Sequence, residues 1–304
     1  MTLKKKHHNW GEGNVSYIEW DRDKSQPGFQ FCHATGFNSL TYRKLLDPLS
    51  EFFHIRAEDA RGHGFTETKA IPDHMFDWKI YCDDLIRSVE SFAENKGGPI
   101  LLGGHSMGGA SIMQVAAKRP DLVSGIVLLE PVLISNLNLS VLRLVKAFPF
   151  IKSFPVFKEM TSRAESTLKR RRKFPSKEMI FKSYSGRGAF STWSDDFLKD
   201  YINGGTKEIN GNIELTCDPS WEAATFSSWR HNATDSIKKI SCPITLLRGE
   251  IGSTTKESGL RLLKEQDPYG VFKTIKHSSH FLPMEHPEEV QKEILKIKLR
   301  IQLT

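Results

Sequence analysis

Gly104-His105-Ser106-Met107-Gly108 constrains this chain more than any other stretch. An apolar run, Ile100-Leu101-Leu102-Gly103, precedes it, and a helix-like segment from Ala110 to Ala117 follows. Strand, sharp turn and helix, in that order, are what a G-x-S-x-G nucleophile elbow needs. The bare pattern also fits a plain Gly/Ser turn; the flanking strand and helix make it informative. Such a turn strains the serine backbone, and the two glycines leave room for close helix–strand packing. The hydroxyl then stands clear at the carboxyl edge of a sheet. Ser106 is therefore the candidate nucleophile.

A serine nucleophile needs a base. Near the C-terminus the chain reads His277-Ser278-Ser279-His280-Phe281-Leu282-Pro283-Met284-Glu285-His286-Pro287-Glu288-Glu289-Val290. Pro287 suits the first turn of a helix, and Glu288 and Glu289 suit its positive end. His280 falls on a loop between the predicted strand Val271–Ile275 and that helix, where it can reach Ser106. His277 lies nearer the strand and His286 begins the helix; both read as surface or turn histidines.

Apolar segments of strand length alternate with helical ones through about residue 134. Strands are predicted at Val15–Trp20, Phe29–Cys32, His54–Glu58, Ile100–Gly103 and Gly125–Leu129, with helical spacing from Trp78 to Val89. This alternation implies an α/β fold, a mostly parallel sheet covered by helices on both faces. From about Leu133 to about Asp235 the pattern breaks, and it resumes with Pro243-Ile244-Thr245-Leu246-Leu247-Arg248-Gly249. The expected organisation is a core from residues 1–134 and 236–304, with 135–235 inserted as a mainly helical cap that roofs the nucleophile. Within the cap, Lys169-Arg170-Arg171-Arg172-Lys173 reads as a solvated helix face; its sharper reading is attraction to anionic substrates or membrane surfaces. Tyr184, Phe190, Trp193, Trp221, Phe226 and Trp229 are aromatic candidates for the pocket roof, most of them expected in the cap core.

Composition excludes some classes. The 304 residues are 38% hydrophobic and 26% charged, ordinary for a globular protein, and the net charge of +7 does not by itself argue for nucleic acid. No apolar run approaches the roughly 20 residues of a membrane helix. Met1-Thr2-Leu3-Lys4-Lys5-Lys6-His7-His8 lacks the apolar segment of a secretory signal. Cys32, Cys82, Cys217 and Cys242 show no metal-ligand spacing and read as reduced thiols, from which a cytoplasmic location is expected.

Four motifs together carry a resemblance. They are His33-Ala34-Thr35-Gly36-Phe37, Asp59-Ala60-Arg61-Gly62-His63-Gly64, the elbow at Ser106, and His280-Phe281-Leu282-Pro283-Met284-Glu285-His286-Pro287. In this order, spanning most of the chain, they resemble the serine hydrolases of the α/β-hydrolase fold. The resemblance implies that the first motif closes the oxyanion hole, that the last carries the catalytic histidine, and that the Arg-Gly-His-Gly turn, with Arg61 and His63, is mostly structural. One oxyanion donor would be the amide of Met107. Aligned on His33, the family's usual glycine is Ala34 here, and the second donor position falls on Thr35. His105 reads as a packed turn residue whose side chain points away from that of Ser106.

The family's acid usually follows the strand ending at Gly249 by three residues. That position is Gly252, which cannot serve. Glu130, at the end of Gly125–Leu129, preserves the Ser, acid, His order, and some relatives, haloalkane dehalogenases among them, place their acid after this strand. Glu250 is the rival. The resemblance thus implies a cofactor-free hydrolase of carboxylic esters, with Ser106, His280 and Glu130 as its machinery and small-molecule ester and water as its substrates. The serine in the elbow sets the chain apart from haloalkane dehalogenases and epoxide hydrolases, which carry aspartate there. A lactonase, thioesterase, amidase or carbon–carbon bond hydrolase remains open, as does a non-catalytic ligand-binding protein on the same fold.

Overall fold

Alternate side chains along each central strand meet different layers. Leu101, Val127, Leu129 and Leu247 join one apolar cluster, whereas Leu102, Ile126, Leu128 and Leu246 join another. This is the period of two expected of a strand, doubled because both faces are covered. The first cluster is closed by Val290, Ile294 and Ile297 of the helix Pro287–Ile301. The second is closed by Leu85, Val89 and Phe92 of the helix Lys79–Lys96, by Ile112, Met113 and Val115 of Met107–Lys118, and by Leu260 and Leu263 of Glu257–Gln266.

A computed structural model describes residues 4–133, 140, 155–228 and 233–301. Its strands are β1 (Lys4–Asn9), β2 (Asn14–Trp20), β3 (Gly28–Cys32), β4 (His54–Glu58), β5 (Ile100–His105), β6 (Val123–Leu129), β7 (Lys173–Phe174), β8 (Thr206–Ile209), β9 (Asn212–Leu215), β10 (Ile244–Gly249) and β11 (Val271–Ile275). Eight of them form one sheet in the order β1-β2-β4-β3-β5-β6-β10-β11. β1 and β2 run antiparallel, and the six strands from β4 to β11 in that order are parallel. The register sets His105 beside Leu129, Leu129 beside Leu247, and Gly249 beside Ile275. The chain therefore leaves β5, β6, β10 and β11 at one edge, the carboxyl edge where open α/β sheets build their sites.

Three features differ from the sequence expectation. β1 pairs along its whole length with β2, although Lys4-Lys5-Lys6-His7-His8 carries no apolar strand signal. An edge strand needs only one covered face and tolerates lysines, and Lys6 pairs with Glu19 across the ladder. The segment between β6 and β10 contains helices but also a separate three-stranded sheet, β7-β9-β8. Strands of 2 and 4 residues are too short for alternation to show. The basic block is not a helix face. The helix Pro155–Leu168 ends before it, and Lys173 opens β7. Arg170 turns inward to Glu222 and to the Tyr201 hydroxyl, while Arg172 and Lys173 pair with Glu214. Buried Glu222 draws Arg170 inward, whereas Lys169, Arg171, Arg172 and Lys173 stay exposed, so the block is solvated although it is not helical.

This middle segment packs on the core next to the motif at His33. Phe37 meets Trp193 edge-on at 5.2 Å and Tyr201 at 5.7 Å. Among the described residues, no helix is long and apolar enough to cross a membrane. The four cysteines are free thiols.

Candidate active site

Ser106 sits between β5 and the helix Met107–Lys118 with φ 56° and ψ −113°, outside the ordinary regions for a side-chain-bearing residue. The strain is held from several sides. The Ser106 amide donates to the Leu129 carbonyl at 3.0 Å, and its own carbonyl accepts from Ala110 and Val132. A Cβ on Gly104 would lie 2.5 Å from the Gly108 backbone, and one on Gly108 would lie 2.3 Å from the Cys32 carbonyl oxygen. Both elbow glycines are thus required by close approach.

His280 follows β11 on a short loop. The loop reaches β10 because Gly249 has no side chain; a Cβ there would lie 2.4 Å from the Ser279 carbonyl oxygen. Glu285 pins the same loop by accepting from the Ser279 amide and hydroxyl, both at 2.7 Å. Held in this way, His280 Nε2 lies 3.0 Å from Ser106 Oγ, and Nδ1 lies 3.2 Å from Glu130 Oε2. Ser106 is buried and the His280 ring is 18% exposed, so the pair is shielded but reachable.

Glu130 follows β6 with φ 48° and is fully buried. Its carboxylate accepts from the Gly249 amide at 2.6 Å, the Ser253 hydroxyl at 2.6 Å and the Thr254 amide at 2.8 Å. Burial alone would raise its pKa; hydrogen bonds from His280 and Ser253, the imidazole charge and the Thr254 amide outweigh this and hold the carboxyl below its ordinary range. An ionised carboxylate only accepts, so His280 Nδ1 carries its proton and Nε2 accepts from the Ser106 hydroxyl. Glu250 faces elsewhere: its carboxylate accepts from the His277 amide at 3.0 Å. Gly252 occupies the same loop at φ +64° with open space around it. The loop after β10 supplies donors to a carboxylate from the neighbouring strand.

Met107 follows Ser106 in the elbow, and Thr35 lies in the turn after β3, whose Cys32 and His33 carbonyls approach Gly108. Among the described residues, no acceptor takes either amide. The amides flanking Thr35 are occupied: Ala34 donates to the Tyr42 hydroxyl at 3.1 Å, and Gly36 donates to His63 Nε2 at 3.0 Å. His33 Nδ1 donates to the Ala34 carbonyl, and its Nε2 accepts from the Ala60 amide. Burial lowers His33 to about 4 and His63 to about 3, so both rings stay neutral braces. Arg61 is tied to both oxygens of Asp84.

The aromatic candidates divide. Trp193 packs on Phe281 at 6.0 Å and on Phe37, beside the His280 loop. Tyr184 and Phe190 stack at 5.0 Å behind it. Trp221 instead donates to the Arg61 carbonyl at 3.1 Å and joins the middle segment to the core. Phe226 lies under the Arg163 guanidinium, and Trp229 lies outside the described residues. Sequence reasoning missed Ser253, Thr254 and Tyr42. The only signal for the first two was the absence of an acid at Gly252.

Residues 31–293 match the alpha/beta hydrolase family. The chain belongs to that family. Among characterised relatives, 2-(acetamidomethylene)succinate hydrolase of Mesorhizobium japonicum is 22% identical over 270 residues, covering 89% of this chain and 87% of the relative. Monoglyceride lipase of Homo sapiens is 33% identical over 106 residues, 34% of each chain. Among solved structures, a thioesterase domain from the curacin biosynthetic pathway superposes with a TM-score of 0.75 at 18% identity, covering 97% of this chain and 100% of that one. The fold and hydrolase membership are therefore shared with proteins whose names specify different bonds.

Proposed function

We propose that this protein hydrolyses carboxylic esters through an acyl-enzyme on Ser106, with residues 135–235 acting as a cap over the site. The observation that carries the reading is the line from Ser106 Oγ through His280 to Glu130, at 3.0 and 3.2 Å, beside two amides without acceptors among the described residues. In the proposed reaction Ser106 Oγ attacks the ester carbonyl carbon while His280 Nε2 takes the hydroxyl proton. Charge builds on the carbonyl oxygen, where the amides of Met107 and Thr35 stabilise it. Glu130 stabilises the imidazolium. Collapse of the tetrahedral adduct breaks the carbon–oxygen bond, and His280 gives its proton to the leaving alcohol. Water, deprotonated by His280, then attacks the acyl-serine; collapse releases the carboxylic acid and returns the proton to Ser106.

A second reading has specific support. The relative that aligns along nearly the whole chain is named for a substrate bearing an acetamido group, and a near-full-length structural neighbour is named a thioesterase. The same machinery cleaves amides, thioesters and lactones when the pocket fits them. The test is a panel of aryl esters of graded acyl length with matched thioesters, amides and lactones, assayed on wild type and Ser106→Ala. Ester turnover that Ser106→Ala lowers by about 10⁴-fold or more supports the reading. Peptide mapping should place a fluorophosphonate adduct on Ser106. Turnover surviving in folded Ser106→Ala overturns the nucleophile assignment. A wild type that neither turns over nor labels is a binding protein on a hydrolase fold.

A further inference from the structure

His105 lies inside the elbow with its ring fully buried, yet its two nitrogens are both engaged with parts of the site. Nε2 is 2.8 Å from the backbone carbonyl oxygen of His280. Nδ1 is 2.7 Å from the Tyr42 hydroxyl, and that hydroxyl accepts from the Ala34 amide at 3.1 Å. Tyr42 is also fully buried. We infer that Tyr42 and His105 are positioning residues, joining the loop that carries the Thr35 amide to the loop that carries the His280 ring. The inference rests on the proposed hydrolase reading, because it assigns these groups to the same reaction.

Proton accounting gives the chain one direction. The His280 carbonyl only accepts, so His105 Nε2 carries its hydrogen. A neutral imidazole then has Nδ1 free to accept, and the Tyr42 hydroxyl donates to it. The phenol oxygen accepts from Ala34. Every donor is used, from the Ala34 amide through Tyr42 and His105 to His280. Burial first, and then the neighbouring His280 imidazole, lowers His105 to about 3 against opposing contributions from the His280 carbonyl and Glu130. Burial raises the Tyr42 phenol well above its ordinary range. Both groups therefore keep the neutral forms that the chain requires. A protonated His105 would turn Nδ1 into a donor facing the Tyr42 hydroxyl.

The consequence is mechanical. Ala34 is one residue from Thr35, and the accepting carbonyl belongs to His280 itself. Phe37 thickens the same block, packing on His105 at 6.1 Å, Tyr42 at 6.4 Å and Phe281 at 6.1 Å. A shift of either loop is resisted by the other. Transition-state stabilisation depends on donor and base positions more than ground-state binding does, so breaking the chain should lower kcat more than it raises KM.

Tyr42→Phe, His105→Gln and the double variant test this on an aryl ester, with active sites counted by fluorophosphonate. Each single substitution is expected to lower kcat about tenfold, the scale of one well-placed hydrogen bond, with KM within about twofold. Because both cut one chain, the double variant should be no slower than the worse single variant by more than about twofold. His105→Gln keeps an amide donor for the His280 carbonyl and should retain more activity than His105→Leu. Wild-type kcat in both single variants, or losses that multiply in the double, overturns the inference. Wild-type protein with ¹⁵N-labelled histidine supplies a readout independent of variant folding and of turnover. His105 should stay neutral with its proton on Nε2 from about pH 5 to about pH 8; a doubly protonated ring, or the Nδ1–H tautomer, overturns the chain. Absence of Ser106-dependent turnover in wild type is a separate result, which fails the hydrolase reading.

Discussion

At the scale of single residues, the unusual feature is where the carboxylate comes from. Glu130 arrives from β6, and the end of β10 with the loop after it surrounds it with the Gly249 and Thr254 amides and the Ser253 and Thr254 hydroxyls. Those donors favour the ionised form, which in turn fixes the His280 tautomer. Glu130→Gln keeps the shape but replaces an acceptor-only group with an amide that can present N–H to Nδ1. We expect it to lower kcat by at least about 10²-fold in an aryl-ester assay, given that losing the orienting acid costs about 10⁴-fold in a well-studied triad. Glu250→Gln should stay within about threefold of wild type, since its carboxylate serves the exposed His277 amide. The reverse ranking would reassign the acid. Chain order admits both Glu130 and Glu250, and the resemblance to relatives with an acid after the corresponding strand favours Glu130, but nothing in the sequence marks Ser253 and Thr254 as its partners. Hydroxyl residues in a loop carry no periodicity, and their role exists only once β6 and β10 lie side by side.

At the scale of elements, the segment between β6 and β10 is braced internally by an ion pair whose carboxylate is buried against the core. Arg170, in the turn before β7, reaches Glu222 on the helix Pro219–Ser227, and Glu222 lies against Gly36, where an added Cβ would meet its carboxylate at 2.4 Å. Removing one partner leaves the other charge buried and uncompensated. Arg170→Met should therefore destabilise the fold by about 3 kcal/mol, read from urea midpoints. Arg170→Met with Glu222→Leu should recover most of that loss, because a well-packed apolar pair avoids the desolvation cost. Equal instability of the single and double variants would show that packing, and not the uncompensated charge, carries the effect. This segment also holds a hairpin turn that its sequence encodes. Asn210-Gly211 joins β8 to β9 with φ of 50° and 74°, the backbone of a two-residue hairpin turn. The dipeptide is the signal, and flanking strands of 4 residues are too short to add alternation to it.

Across the whole molecule, one buried acid ties stability to pH. Glu58 ends β4 in the interior, and burial, with Asp84 and Asp59 adding to it against the Ser88 hydroxyl and Arg56, pushes its carboxyl up to about 8. The unfolded chain has an ordinary Glu that ionises near about 4.3. Between about 4.3 and about 8 the folded state binds the extra proton, so stability from this group falls as pH rises. Its contribution is fully present below the unfolded value and is lost as pH climbs through the folded one. Glu58→Gln mimics the protonated acid and still accepts from Ser88. The variant should gain stability relative to wild type at about pH 8 and gain little at about pH 5. Denaturant midpoints at the two values check this; a gain independent of pH would mean that Glu58 is not held protonated.

What the sequence determined by itself was the part encoded in local pattern. The elbow at Ser106, the strands His54–Glu58 and Val271–Ile275, and a histidine loop before Pro287 all follow from periodicity, glycine placement and helix-start chemistry within about 15 residues. The order of these motifs was enough to indicate the fold. Tertiary structure alone decided the rest. The Glu130 cradle, the Arg170–Glu222 pair and the Tyr42–His105–His280 chain each join residues separated by 52 to 175 positions or more than one strand of the sheet. Burial also singled out one charge of the basic block, because the desolvated Glu222 draws Arg170 in while Lys169, Arg171, Arg172 and Lys173 stay exposed. A one-dimensional pattern records which groups a chain carries; desolvation and hydrogen-bond geometry, set when the sheet assembles, decide which of them act together.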